Sequence, residues 1–484
     1  MLSGVEGERF RDLQRRRLLE AWRADLPGSA TPHVVVGLPS YSVDRSLYDH
    51  YGDRVGPLEH RYLYVILRAR NPGTRVVYLS SRPVTREVVD SYLSLAPAQD
   101  HDAIRANTLL ISPDDPSPRA LAEKTLDAPQ VLAHIRAFIG EEPALVEAWN
   151  VTEAERDLAV ALDVPLNGTD PSLSRLATKS GGRELFAQVG IPVPRGVEHV
   201  SSLEDVVRAI RRLRACDAAT DGVVVKLDDS VAGDGNVVMR FSAGDDLHDI
   251  ETRVRGALPE WYLDTLRRGG IVEELITGDD FCSPSGQGDI CPDGTVHVLS
   301  THDQRLGGDN GQVYEGSTFP ARPGYARQIA THVAAAGHAL LEHGAIGRYA
   351  VDFAAVRRNG NWHLFALEIN LRKGGTTHTM GVVRLLTNGR YDPVAGEFRL
   401  PDGSTRVYGA TDNLIDPSWI GRSPAAVCAR LDASGLLFNR SNAVGVVPHL
   451  LDCLGVDGRM GYTAIGRTRE EATEFEERVA SALV

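Results

Sequence analysis

Residues 349–372 read YAVDFAAVRRNGNWHLFALEINLR: two apolar, strand-forming runs separated by RRNGN at 357–361. The pattern predicts two strands paired through a hairpin turn. Asp352 lies on the first strand, Glu368 follows sixteen positions later on the second, and Asn370 comes two further on. Strand alternation puts Glu368 and Asn370 on one face, so three oxygen-bearing side chains converge. Two carboxylates gathered among Val, Phe, Ala, Leu and Ile repel each other and lose hydration unless a cation joins them. Magnesium suits such a set, because it takes hard oxygen ligands, shares nucleotide phosphates and completes its shell with water. The competing account is a structural salt bridge to Arg348 or Arg372. Arg372 continues the alternation onto the same face, where it either grips an anionic substrate or phosphate bidentately or neutralises those acids.

Upstream, residues 223–238 read VVVKLDDSVAGDGNVV. An apolar strand presents Lys226, a loop containing Gly233 and Gly235 follows, and a second strand returns. Backbone N–H groups of such a loop can cradle phosphate oxygens while one ammonium neutralises them. An ordinary hairpin with a solvated lysine fits the same residues. No G-K-[ST] follows the glycines, which excludes a P-loop. At 271–280, IVEELITGDD is a short strand whose edge can read adenine, with Glu273 as the candidate there and Asp280 at ribose hydroxyls. A half-exposed edge strand with solvated acids is the alternative. Residues 304–316, QRLGGDNGQVYEG, carry four glycines and are either a mobile lid or a plain surface loop.

Taken in order, Lys179, Lys226 before its Gly loop, Glu273, and the trio Asp352, Glu368 and Asn370 resemble the ATP-grasp superfamily over residues 167–378. The resemblance implies ATP between two α+β lobes, with Lys179 and Lys226 on its phosphates and Gly233 and Gly235 in the loop above them. Glu273, with the Glu274 and Ile276 backbone, would meet adenine, and Asp280 ribose. Two magnesium ions, replaceable by manganese, would bridge the trio to the triphosphate. More narrowly, EINLRKGGTTH at 368–378 and GVVPHLL with GRMGYTAIG at 445–466 resemble the pheganomycin-type peptide ligases of actinobacteria. Those enzymes join the carboxylate of an unusual amino acid, or its guanidino derivative, to the amine of an amino acid or peptide. The implied reaction is phosphoryl transfer to a carboxylate, then attack of the amine on the acyl phosphate. Lys226 would spread the phosphoryl charge, and Arg372 or Arg305 would stabilise the tetrahedral intermediate. His378 is the nearest candidate base, although a lone His more often packs or caps. An ATP-grasp carboxylase, a small-molecule kinase and a non-catalytic nucleotide-binding protein are the competing functions, and no A-M-K-M biotin-carrier sequence is present.

Composition limits the rest. The chain has 484 residues, 42% apolar and 24% charged, as expected of a folded protein of about three domains at roughly 100 to 200 residues each. A formal charge of −13 argues against nucleic acid or anionic membranes as partners. The one basic cluster, Arg15, Arg16 and Arg17, falls in a predicted helix over 6–26 and reads as a solvated face. Five cysteines without a C-x-x-C pair predict reduced thiols and a cytoplasmic location. No apolar run approaches the roughly 18 residues that span a bilayer. Amino acids or peptides are the expected partners, and a homodimer the expected assembly.

The overall prediction is a multidomain α/β and α+β chain. Apolar runs at 33–38, 75–80 and 108–112 alternate with helical stretches at 58–70 and 86–96, which predicts a Rossmann-like domain over 1–165. It lacks G-x-G-x-x-G and reads as scaffold or substrate wall. A turn cluster at 167–171, a helix over 179–189 and the prolines of GIPVP at 190–194 open a two-lobed ATP-grasp domain over 166–385. Residues 386–484 form a small α/β unit completing the substrate site, its last helix announced by a capping box of Thr468 and Glu471. Residues 381–422, rich in Pro, Gly and Asp, are predicted to link or extend these parts.

Overall fold

Runs such as HVVVGL are too apolar to leave either face in water, so they pair in parallel under helices on both sides. In the computed structural model, which describes residues 2–42, 48, 52–217, 220, 222–228, 235–242, 244–278, 280–307 and 313–483, four such strands make the first sheet. They are β1 (His33–Leu38), β2 (Thr74–Leu79), β3 (Thr108–Ile111) and β4 (Ala144–Ala148), parallel in the order β3-β2-β1-β4. Every residue of β1 and β4 is buried. β4 was not predicted, because Glu147 interrupts its apolar run. The predicted helix over 58–70 is instead a short α-helix, Val55–Glu59, followed by a 3-10 helix, His60–Arg70. Tyr62, Leu63, Val65, Ile66, Leu67 and Ala69 are all buried there, so packing around the segment overrides the α-helical expectation.

The second sheet is antiparallel and has four strands, β5 (Gly196–Val197), β6 (Gly222–Leu227), β7 (Asn236–Arg240) and β8 (Gly270–Glu274), in the order β5-β8-β6-β7. Helix Leu203–Cys216 begins at Ser202, whose hydroxyl accepts from the Asp205 N–H at 3.1 Å, and lays Val206, Ile210 and Leu213 on Val223, Val225 and Val272. Each such fully buried side chain contributes roughly 1.5–3 kcal/mol of transfer free energy.

The third sheet has ten strands. β9 (Phe281–Ile290), β10 (Val296–Gly307), β11 (Val313–Phe319), β12 (Gly347–Arg358) and β13 (Asn361–Asn370) are joined by β14 (Arg390–Asp392), β15 (Glu397–Arg399), β16 (Thr405–Ile415), β17 (Gly445–His449) and β18 (Arg459–Gly466). The order is β13-β12-β9-β10-β11-β16-β15-β14, with β18 pairing both β16 and β17. Helix Ala326–Glu342 covers it through Ile329, Val333, Ala336 and Leu340, packed with Tyr349, Val351 and Phe353. The Tyr349 ring fills the space that side chains at Gly288 and Gly337 would need, and its hydroxyl donates to the Val333 carbonyl at 2.8 Å.

Residues 381–422 extend the sheet: the end of helix Thr377–Thr387, the β14–β15 hairpin and β16 run from β12 and β13 into the C-terminal strands. The capping box at the last helix, Arg469–Leu483, forms by half. Thr468 Oγ1 accepts from the Glu471 N–H at 3.2 Å, while the Glu471 carboxylate turns back to Arg467, accepting from its backbone N–H and guanidinium at 2.6 Å each.

Candidate active site

β12 and β13 are joined by Asn359 and Gly360, both with positive φ (52° and 81°), between the partners Arg358 and Asn361. That is the two-residue turn whose twist matches the flanking strands. Further along, Asp352 stands directly opposite Glu368, and Ala350 opposite Asn370. The register slips by one residue just beyond Asp352, where Phe353 faces Ala366, so Leu367 is the extra residue of a bulge. Such bulges re-aim neighbouring side chains. Asp352 accepts from Gln304 Nε2 of β10 at 2.8 Å and from Asn370 Nδ2 at 3.0 Å. With its amide nitrogen so engaged, Asn370 has its carbonyl oxygen as the atom that could meet a cation. Burial pushes the Asp352 carboxyl above its ordinary pKa.

Glu368 forms an ion pair with Lys179, a partner that the competing salt-bridge account did not name. Arg348 instead lies 4.0 Å from Asp289. Lys179 starts helix Lys179–Gln188, which is fixed by Thr178 Oγ1 accepting from the Gly181 N–H at 3.0 Å. Burial, then the charge of nearby Lys226, lowers the Lys179 ammonium to about 7. Lys226 on β6 forms an ion pair with Glu273 on β8; the two sit diagonally on adjacent strands, where Lys226 faces Ile271 and Val224 faces Glu273. Glu273 is 2% exposed and also takes Arg183 Nη1 at 3.1 Å. Arg183 lies one helical turn beyond Lys179, so one helix face serves both acids.

The remaining predicted residues are distributed around this core. The Glu274 carboxylate holds Arg195 Nε at 2.8 Å. Ile276 is buried with Ala354 and Val356, and Asp280 is exposed, 3.7 Å from Arg357. The Gly235 carbonyl accepts from Tyr262 Oη at 2.7 Å, whereas Gly233 lies outside the described residues. Of the glycine-rich stretch 304–316, residues 304–307 belong to β10 and 313–316 to β11, and 308–312 lie outside the described residues.

β13 ends at Asn370, so Arg372 lies two residues beyond the strand along which alternation was read. Its charge nonetheless reaches the site, pulling Asp352 and Lys179 down. Arg305 donates from Nη1 to Glu476 at 2.8 Å and from Nη2 to the Ala410 carbonyl at 2.7 Å. It lines a cavity of about 560 Å³ with Tyr408, Arg469 and Glu476, and this cavity touches the carboxylate pair through Gln304. His378 is buried against Asp412 and His449, and burial lowers its imidazole to about 4. Its ring is 2% exposed, enclosed by the fold.

Residues 426–479 match the family described as the PGM1 C-terminal domain. Over 427 residues the chain is 33% identical to L-propargylglycine–L-glutamate ligase of Streptantibioticus cattleyicolor, an alignment covering 86% of each protein. The chain belongs to the ATP-grasp carboxylate–amine ligase family. The fold extends to more distant proteins. Biotin carboxylase of Campylobacter jejuni superposes with a TM-score of 0.57 at 14% identity, covering 94% of this chain and 91% of that one. The biotin carboxylase domain of Hydrogenobacter thermophilus 2-oxoglutarate carboxylase gives 0.57 at 12%, covering 93% and 89%.

As an ATP-dependent carboxylate–amine ligase, the protein also carries side chains that its sequence did not single out. Arg183 and Gln304 orient the acids described above. Lys373, next to Arg372, donates from Nζ to Glu147 at 2.9 Å and to the Ala148 carbonyl at 2.5 Å, and its N–H donates to the Trp149 carbonyl at 3.0 Å. Asn167 Nδ2 donates to the other Glu147 oxygen at 2.9 Å. Burial alone would raise the Glu147 carboxyl, but Lys373, Arg68 and Asn167 outweigh it and hold it at about 2. The end of β4 thereby anchors the loop that carries Arg372. Among the described residues no helix is long and apolar enough to cross a membrane.

Proposed function

We propose that this ligase activates the carboxylate of an amino acid, an unusual one by the example of its relative, and joins it to the amine of a second amino acid or a peptide. The observation that carries the reading is the Asp352–Glu368 register pair with the Lys179 ammonium held against it. A cation already sits beside these acids, so the donor set suits magnesium, with Asp352, Glu368 and Asn370 as ligands. Two ions, or manganese in their place, would draw charge from the phosphates and the developing metaphosphate.

Lys179 would leave Glu368, and Lys226 would leave Glu273, for the phosphate oxygens, with Gly233 and Gly235 above them. Glu273, the Glu274 and Ile276 backbone and Asp280 are proposed for adenine and ribose. A substrate carboxylate oxygen attacks the γ-phosphorus, ADP leaves, and the amine nitrogen then attacks the acyl carbon and expels phosphate. Arg372, and Arg305 once released from Glu476, are the cations proposed for the oxyanion. The division into 1–165, 166–385 and 386–484, a homodimeric assembly and a cytoplasmic setting belong to the same proposal, the last supported by five free thiols. Sustained ADP release tests it. A ligase needs both a carboxylate and an amine and yields a product of their summed mass less one water; turnover with a single acceptor would identify a kinase instead.

A further inference from the structure

Two of the motifs read from the sequence, GGTTH and VVPHLL, each end in or contain a histidine that the ligase reaction leaves unused. His378 lies in the first turn of helix Thr377–Thr387, His449 ends β17, and Asp412 is on β16. The fold brings them together in the interior, at 2%, 3% and 4% exposure. His378 Nε2 is 3.0 Å from Asp412 Oδ1, His449 Nε2 is 2.7 Å from the same oxygen, and the two Nε2 atoms are 3.2 Å apart.

Without an ion, Asp412 Oδ1 can accept from both Nε2–H groups, which then stand only 3.2 Å apart on one oxygen. A single cation accepts all three lone pairs at once. We propose that His378, Asp412 and His449 form a binding site for a divalent transition-metal ion, zinc being the best suited. Zinc bonds imidazole nitrogen and carboxylate oxygen at about 2.0–2.2 Å, so tetrahedral ligands stand about 3.3 Å apart, a few tenths of an ångström wider than the triangle observed. Two imidazoles and one carboxylate also differ from the all-oxygen set of the catalytic trio, which separates the two sites by chemistry.

The surroundings are built for the arrangement. Arg61 Nε stands 2.8 Å from Asp412 Oδ2 and so orients the carboxylate from behind, as outer partners of metal ligands do. Gly461 faces His449 across the β17–β18 ladder, and any side chain there would overlap the imidazole. Because Arg61 already offsets Asp412, the ion calls for an anionic fourth ligand, hydroxide or a carboxylate. Such a site would tie the helix following the Arg372 loop to two C-terminal strands.

The test uses the full chain, stripped with a chelator, loaded with zinc and dialysed, and separately titrated with cobalt(II). The expected result is one zinc retained per chain and the visible bands of four-coordinate cobalt, both lost in His449→Gln and in His378→Gln but kept in Glu368→Gln. Wild-type protein that retains no zinc and shows no cobalt bands overturns the site, and that measurement stands even if the histidine variants do not fold. Retention unchanged in both folded histidine variants, or lost in Glu368→Gln alone, overturns it as well.

Discussion

Asp352 and Glu368 are cross-strand partners, two carboxylates set side by side on β12 and β13. Like charges in that position destabilise a sheet unless a cation lies between or beside them, and here the Lys179 ammonium does so. Glu368→Gln keeps the shape and removes the charge. It should lower turnover about 100-fold, near 3 kcal/mol of transition-state stabilisation. ADP release titrated with magnesium is the measurement, and turnover with unchanged magnesium dependence would sink the assignment of Glu368 as a ligand.

Lys179, lowered to about 7 by burial and by Lys226, is partly an uncharged amine at neutral pH. It should react with an acylating reagent with a midpoint near pH 7, whereas an ordinary lysine titrates near 10.4. ATP should protect it. Peptide mapping after brief labelling across pH 6–9 reads both effects; labelling that rises only above pH 9 would contradict them.

Glu147, held at about 2 against an ordinary 4.5, links acid stability to the Arg372 loop. Its folded pKa is depressed, so its contribution is complete above about pH 4.5 and is lost as pH falls towards 2. The shift corresponds to about 3 kcal/mol. In Glu147→Gln the unfolding free energy should be lower at pH 7 and should flatten between pH 4.5 and 2. Denaturant melts at several pH values measure it, and an acid limb identical to the wild type would count against the pairing with Lys373.

Gly360 at φ 81° closes the hairpin that aligns the acids. Gly360→Val forces a β-branched residue into the left-handed region at a cost of about 1–2 kcal/mol. Thermal melts should show the loss, with turnover falling further than stability if the register of Asp352 and Glu368 shifts.

The hairpin was readable because every signal it needs is local: alternating apolar residues, an Asn-Gly turn, and acids at fixed offsets. The partners of those acids were not. Lys179 reaches Glu368 from a helix 189 positions earlier in the chain, and Arg183 of the same helix reaches Glu273 90 positions away, distances that no periodicity records. Arg372 lies beyond the end of β13, and alternation says nothing about where a strand stops. β4 escaped notice because one acid, satisfied in the fold by Lys373 and Asn167, made a buried strand look polar. Residues 381–422 were expected to link or extend the parts because their Pro, Gly and Asp mark turns; β14, β15 and β16 pair with one another locally, and the extension comes from β16, whose pairing with β11 and β18 no local pattern records. His378 looked solitary for the same reason, its companions lying 34 and 71 residues away.

The continuity of the ten-stranded sheet bears on how such ligases can be recombined. β11 pairs with β16, and β16 with β18, so the sheet crosses residue 386 without a seam. A chimera cut there would place strands of two parents against each other along a hydrogen-bonded edge, and a truncation there would leave β11 as a bare edge open to self-association. New substrate scope by domain exchange is better sought by moving residues 281–483 as one cassette, so that the acids and the C-terminal strands of the same sheet travel together.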